Sequence, residues 1–393
     1  MNKSILNTEV QNFINDNLDT DIPKLSLKKS PFVTVSSAEL AVQIDSKKRS
    51  ENKLPTWYKT AGIYYPPRLS IEQSSSEIAA AYKTSLITGE DIIDLTGGFG
   101  VDSYYFALKA ARVHHCEINR DLSEISKHNS IKLGVKINYL NTDGISYLKE
   151  SGQHFDTVYI DPSRRISNKK VFLFKDCEPD VISNLELLTE QCHLLMIKAG
   201  PLLDIQSGIQ ELGAVSSIHI VSIKNECKEL LFLIRKGKTS VDPVITCVFP
   251  GSYQEETYSF RISEEKDYEI RQYSKPLEYI YEPDAALLKA GCFKLTTRDF
   301  ALQKIHQHTH LYTSAELNES FPGRIFQLKK VWKYGSFIKE NPIRRANVIT
   351  RNFPSNPEGL KKKLKIKDGG DEYLLFCTGS DNNRIVLHCR RRV

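Results

Sequence analysis

Four carboxylates in the middle of this 393-residue chain stand at the ends of short apolar runs, where a ligand crevice would use them. Asp94 closes Ile92-Ile93 and leads into Leu95, Thr96, Gly97, Gly98 and Gly100. Glu117 closes Val113-His114-His115-Cys116, 23 residues after Asp94. Asp143 follows Asn141-Thr142, with Gly144 next to it, and Asp161 opens Asp161-Pro162-Ser163-Arg164-Arg165. Open α/β sheets bind ligands beyond the carboxyl ends of their strands, so these four acids would line one crevice. Glu117, at the end of the second strand, suits both hydroxyls of a ribose, and Asp143 suits an adenine amino group. Glycines fit the turn after Asp94 because a Cβ would block the ligand or the left-handed backbone.

Both a nicotinamide dinucleotide and S-adenosylmethionine make these demands, and the first helix separates them. Dinucleotide sites set a pyrophosphate on that helix's N-terminus, where this chain has Asp102. An unpaired carboxylate ~4 Å from a diphosphate costs on the order of several kcal/mol at the effective dielectric of a protein site. A ligand carrying a sulfonium and an ammonium tolerates both Asp94 and Asp102. A further polar stretch, Glu72-Gln73-Ser74-Ser75-Ser76-Glu77, opens the helix before the first strand. It reads either as a polar wall presenting Gln73 and Ser74 to the ligand or as a capping box from Ser74 to Glu77.

The elements that position these residues follow from the apolar periodicity. Residues 1–88 read as helical, with helix-period spacing over Val10–Ile14, Ala38–Ile44 and Ile71–Leu86. Residues 89–238 alternate strands and helices, which argues for a parallel sheet covered on both faces. The expected strands are Asp91–Leu95, Val113–Glu117, Ile137–Leu140, Thr157–Ile160, Leu194–Ile197, Ile218–Ile223 and Glu229–Ile234. The last two, joined by Lys224–Lys228, form a hairpin that sets one antiparallel strand at the sheet's end. Residues 239–323 hold a β-rich connector (Val244–Phe249, Thr257–Ile262) and a small α+β segment. Residues 324–393 form a basic module with strands Val348–Asn352, Tyr373–Thr378 and Ile385–Cys389 and a helix Gly359–Lys365. From Arg324 onward, 17 Lys/Arg face 6 Asp/Glu in a chain whose total charge is only +6, and aromatic residues are interleaved with them. Such a module on a mildly acidic body points to a polyanion, nucleic acid in particular.

No apolar run reaches the ~20 residues of a membrane span, and the opening residues lack a signal-peptide pattern. The eight cysteines show no C-x-x-C pairing, which fits reduced thiols in a cytoplasm and neither a zinc site nor a disulfide framework. His306, His308 and His310 alternate as a strand-face metal site would, but no acid or cysteine accompanies them, so they read as exposed polar residues with no metal.

These motifs together resemble class I S-adenosylmethionine-dependent methyltransferases: DLTGGFGVD (Asp94–Asp102), Glu117, Asp143 and the tetrapeptide Asp161-Pro162-Ser163-Arg164. More closely, the chain resembles a bacterial family in which that domain precedes a ferredoxin-like segment and a C-terminal THUMP-like domain. The stretches EQSSSE…AYK, DPSRR, Lys198-Ala199-Gly200-Pro201, YEPDAALLKAG and the basic tail carry this likeness across nearly the whole chain. The resemblance implies an α/β fold with a Rossmann-like seven-stranded methyltransferase sheet, an N-terminal helical region and small C-terminal α+β domains. It implies contacts to S-adenosylmethionine from Asp94, Thr96, Gly98, Gly100, Glu117 and Asp143, and an acceptor-side loop at Asp161 to Arg165. A THUMP-like domain implies RNA, a tRNA or rRNA base. Ser163 and Arg164 depart from the amino-methylating pattern D/N-P-P-F/Y, in which an aromatic ring stacks on the target base. An Arg plane can stack in its place, or Arg164 and Arg165 can hold a phosphate. Three activities stay open: RNA methylation, protein or small-molecule methylation, and RNA binding by a non-catalytic chain that keeps the cofactor fold.

Overall fold

The computed structural model describes residues 1–164, 173–237, 242–340 and 343–392. It forms two compact units, Met1–Ser216 with Leu231–Val241 and Ser217–Leu230 with Asp242–Val393.

In the first unit, strands β1 (Asp91–Asp94), β2 (Arg112–Cys116), β3 (Asn138–Leu140), β4 (Phe155–Ile160) and β5 (Cys192–Ala199) run in the order β3-β2-β1-β4-β5. All four pairings are parallel. Ile92, Ile93, Val158, Ile160 and Leu194–Ile197 are fully buried, as unbroken apolar runs are when helices cover both faces. The Leu231–Arg235 half of strand β7 (Glu226–Arg235) lies next to β5, with the Lys236 N–H donating to the His193 carbonyl at 3.0 Å.

The N-terminal helices belong to this unit rather than standing apart. Helices α1 (Thr8–Asp16), α2 (Ser37–Lys53), α3 (Arg68–Gln73) and α4 (Glu77–Leu86) share a core with Phe99, Val101, Tyr104 and Ile125 of the glycine turn and the helices after it. Trp57 anchors the contact, 4.8 Å from the Tyr104 ring. The helix expected over Ile71–Leu86 is broken in two, because Ser74 is extended and Ser76 is the N-cap of α4, accepting from Ala79 N–H at 3.3 Å. No capping box runs from Ser74 to Glu77. The Glu77 carboxylate accepts instead from the Thr56 backbone and hydroxyl and from the Tyr105 hydroxyl.

In the second unit, β6 (Ser217–Ile223) meets β7 through the two-residue turn Lys224-Asn225, both at positive φ (54° and 62°). That primed geometry matches the twist of a hairpin. Strand β8 (Val244–Val248) pairs parallel with β6, and β9 (Thr257–Arg261) antiparallel with β8. The stretch read as a connector therefore adds two strands beside β6, in the order β9-β8-β6-β7, and the sheet does not end at the hairpin.

A second sheet holds β10 (Tyr279–Pro283), β11 (Gln303–Lys304), β12 (Tyr312–Ser314), β13 (Gly323–Lys333), β14 (Asn347–Arg351), β15 (Glu372–Thr378) and β16 (Arg384–Arg391), in the order β11-β12-β10-β13-β16-β15-β14. The buried Glu282 carboxylate of β10 takes the guanidinium groups of Arg324 on β13 and Arg351 on β14. His306, His308 and His310 lie in the turn between β11 and β12, not on a strand face. His310 is not the exposed polar residue expected: it stacks on Phe293 at 3.7 Å, and burial pushes its imidazole down to about 4. Among the described residues, no group of three or more His, Cys, Asp or Glu is placed to hold a metal ion. None of the described helices is long and apolar enough to cross a membrane, and all eight cysteines are free.

Candidate active site

The glycine turn continues the sheet hydrogen bonding past β1. Leu95 N–H donates to the Tyr159 carbonyl at 3.0 Å, and Gly97 N–H to the Cys116 carbonyl at 2.8 Å. Gly100, at φ +81°, caps helix α5 (Val101–Ala107) in the left-handed region. A Cβ on Gly97 would lie 2.1 Å from His115 Cε1, so the imidazole and the turn fit only without a side chain there. The Glu117 carboxylate accepts from Gly98 N–H at 2.9 Å and from Asn119 N–H at 2.7 Å. A carboxylate offers about four acceptor positions, so capacity for further donors remains. Asp143 caps helix α6 (Gly144–Ser151), its Oδ1 accepting from Ser146 N–H at 2.8 Å.

These residues surround a cavity of about 640 Å³. Of the residues singled out in the sequence, Gln73, Ser74, Thr96, Gly97, Gly98, Gly100, Asp102, Glu117, Asp143, Gly144, Asp161, Pro162 and Ser163 line it. Asp94 does not line it, because it is buried behind the turn. Arg164 contributes a backbone pairing with Cys177, beside that of Ser163 with Glu178. Arg165 lies outside the described residues.

Asp94 accepts from the Ser103 hydroxyl at 2.6 Å and from Thr96 N–H at 3.1 Å. Ser103 in turn lies 3.0 Å from His115 Nδ1. Burial, reinforced by Asp102 and Asp161, pushes the Asp94 carboxyl up to about 7 despite its hydrogen bonds. Burial holds the His115 imidazole down at about 3. The two act in opposite senses on stability. Between pH 4 and 7 the folded protein keeps the Asp94 proton that the unfolded chain has lost, so this group's contribution falls as pH rises and levels off above 7. His115 is neutral when folded and charged when unfolded from pH 3 to 6.5, so its contribution rises over nearly the same window. Asp94→Asn removes only the first effect. Relative to wild type, that variant is expected to gain on the order of 4 kcal/mol between pH 4 and 7, read from urea unfolding at both pH values. Parallel pH profiles for the two proteins would refute this account.

Asp102 is not the unpaired carboxylate that the charge argument assumed. Its Oδ1 is 3.1 Å from the Lys83 ammonium, and its Oδ2 accepts from the Ser75 and Tyr159 hydroxyls at 2.8 and 3.0 Å. Burial alone would raise this carboxyl, but Lys83, Lys198 and Ser75 outweigh it and leave it below the ordinary range. With its charge matched by Lys83, Asp102 no longer discriminates against a diphosphate. Lys83 and Lys198 stand in stretches that carry the family likeness, but the sequence alone assigns neither of them a role. Lys83 shares the buried stripe of α4 with Ala79 and Ala80, an unusual place for a lysine and the signal that could have found it. Lys198 stands one residue before the end of β5, near a strand end as the acids are.

At the end of β4, Asp161 N–H donates to Thr96 Oγ1 at 2.7 Å, tying this loop to the glycine turn. Its Oδ2 accepts from the Lys198 ammonium.

Comparisons with known proteins follow the same division. Residues 279–322 match a family model described as a ferredoxin-like domain, and 323–391 one described as THUMP domain-like. A crystal structure from Porphyromonas gingivalis W83, assigned as a methyltransferase, is 31% identical; the match has a TM-score of 0.88 and covers 100% of this chain and 99% of that one. An uncharacterized RNA methyltransferase of Mycoplasma mobile is 33% identical over 133 residues, 32% of this chain. The chain spans 36% of the length of that curated relative.

Proposed function

We propose, on the premise that this chain belongs to the methyltransferase family of the Porphyromonas gingivalis protein, that it moves a methyl group from S-adenosylmethionine to RNA. The observation that carries this reading is the cavity at the strand ends, where Glu117, Asp143 and Asp161 converge around the glycine turn. The residues fit the cofactor. Gly98 has nothing within 4 Å of where a Cβ would stand except Thr96 O at 3.8 Å, which leaves a backbone cradle. Glu117 retains acceptor capacity for ribose hydroxyls, Asp143 for an adenine amino group, and Gln73 and Ser74 form a polar wall.

When bound, S-adenosylmethionine supplies an activated methyl group, so the protein's task is binding and alignment. The Asp161 carboxylate and Pro162 carbonyl accept hydrogen bonds from the methyl acceptor and turn its lone pair toward the cofactor side of the cavity. An acceptor within structured RNA has to be exposed by unstacking, which favours a loop or single strand. Tritium transfer from labelled cofactor into RNA, protein and small-molecule fractions tests the reading, and label confined to the last two would refute the RNA assignment.

The basic module would hold the phosphates. Many of its cations are matched by acids: Lys329 by Glu372, Lys361 by Glu358 and Asp368, Arg324 and Arg351 by Glu282. Lys330, Lys333 and Lys362 have no carboxylate partner among the described residues, and Lys330 lies 3.5 Å over the Trp332 ring. RNA affinity is therefore expected to fall steeply with salt. Replacing Lys330 and Lys333 by alanine is expected to reduce the log–log slope by about 1 to 2, at roughly 0.7 per phosphate contact on a single strand. An unchanged slope in filter-binding titrations would remove these lysines from the interface.

A further inference from the structure

Two lysine–aspartate pairs in the first unit differ in exposure. Side-chain exposure is 0% at Lys83, 11% at Asp102, 14% at Lys198 and 30% at Asp161. Lys83 pairs with Asp102 at 3.1 Å, and Lys198 pairs with Asp161. The Lys198 ammonium also helps hold the Asp102 carboxyl low. Both Asp161 and Lys198 line the cavity.

We infer that the methyl acceptor is a hydroxyl, in RNA a ribose 2′-hydroxyl, rather than a base amine. This rests on the methyltransferase reading above and narrows its substrate class. An attacking amine needs no base and gains positive charge as its bond to carbon forms, so a fixed ammonium beside it opposes the reaction. An attacking hydroxyl must lose its proton and gains negative charge, so it uses both members of the pair. Asp161 takes the proton from the oxygen. The oxygen's electron pair forms the O–CH₃ bond, and the electrons of the breaking S–CH₃ bond remain on sulfur. Lys198 faces the developing negative charge, as donors in a preorganised site do.

The test uses the full-length protein, tritiated S-adenosylmethionine and total RNA from a strain lacking this gene, followed by alkaline hydrolysis. A 2′-O-methyl group blocks cleavage of the adjoining phosphodiester, so label in alkali-resistant dinucleotides supports the inference. Label released in mononucleotides would overturn it while leaving RNA methylation intact. Absence of label from RNA would overturn the reading beneath it as well. Lys198→Gln is expected to lower kcat about 100-fold or more while calorimetry shows unchanged affinity for S-adenosylhomocysteine. Wild-type kcat in that variant would also overturn the assignment, and the hydrolysis of wild-type product decides the matter should the variant not fold.

Discussion

Lys83→Met is expected to destabilise the first unit by about 3–5 kcal/mol, the usual consequence of removing one partner from a buried ion pair. The side chain is fully buried, and its ammonium bonds to Asp102 and to the Ser75 hydroxyl, the latter at 2.9 Å. Without it, Asp102 keeps the Ser75 and Tyr159 hydroxyls but loses its nearest positive charge. Pairing Lys83→Met with Asp102→Asn is expected to recover much of the loss, because the uncompensated charge disappears with its partner. The two tryptophans make this measurable, since Trp57 belongs to the first unit and Trp332 to the second. In a Trp332→Phe background, fluorescence reports the unfolding of the unit that holds Lys83. A loss below 1 kcal/mol in the single variant would mean that water reaches Asp102.

The second large effect is catalytic. Asp161→Ala is expected to lower methyl transfer by about 10²- to 10⁴-fold, the range for losing a positioned acid–base group, with cofactor affinity within a few-fold of wild type. The separation follows from the geometry, because Glu117 and Asp143 sit on other loops. Thr96 is held by the Asp161 backbone N–H, which alanine retains. Turnover at the wild-type rate would leave Asp161 with a structural task only. A parallel loss of cofactor binding would mean that the side chain holds the glycine turn as well.

What the sequence displayed and what it hid divide by the range of the interaction. The glycine turn, the strand ends and the acids placed on them are local signals, carried by residues a few positions apart. The cavity collects most of those acids, but Asp94 lies behind it, engaged by Ser103 and Thr96. The pairs Lys83–Asp102 and Asp161–Lys198 join residues on different elements, and no periodicity connects them. The strands Val244–Val248 and Thr257–Arg261 were legible as strands, yet which sheet receives them depends on the fold. The turn is Lys224-Asn225, shorter than the Lys224–Lys228 linker the sequence suggests, because lysine is not a residue that usually adopts positive φ. The helix break at Ser74–Ser76 is not legible locally, since Ser74, Ser75 and Ser76 are all plausible caps and only the environment of Glu77 selects Ser76.

The two C-terminal segments that match separate family models meet along β10 and β13, in register from Tyr279–Gln327 to Pro283–Gly323. Glu282 belongs to the first segment, and the two arginines it neutralises belong to the second. A gene cut between residues 322 and 323 would therefore yield a fragment with a raw sheet edge and two stranded guanidinium groups, so the pair is expected to be inherited, shuffled and expressed only as a single block.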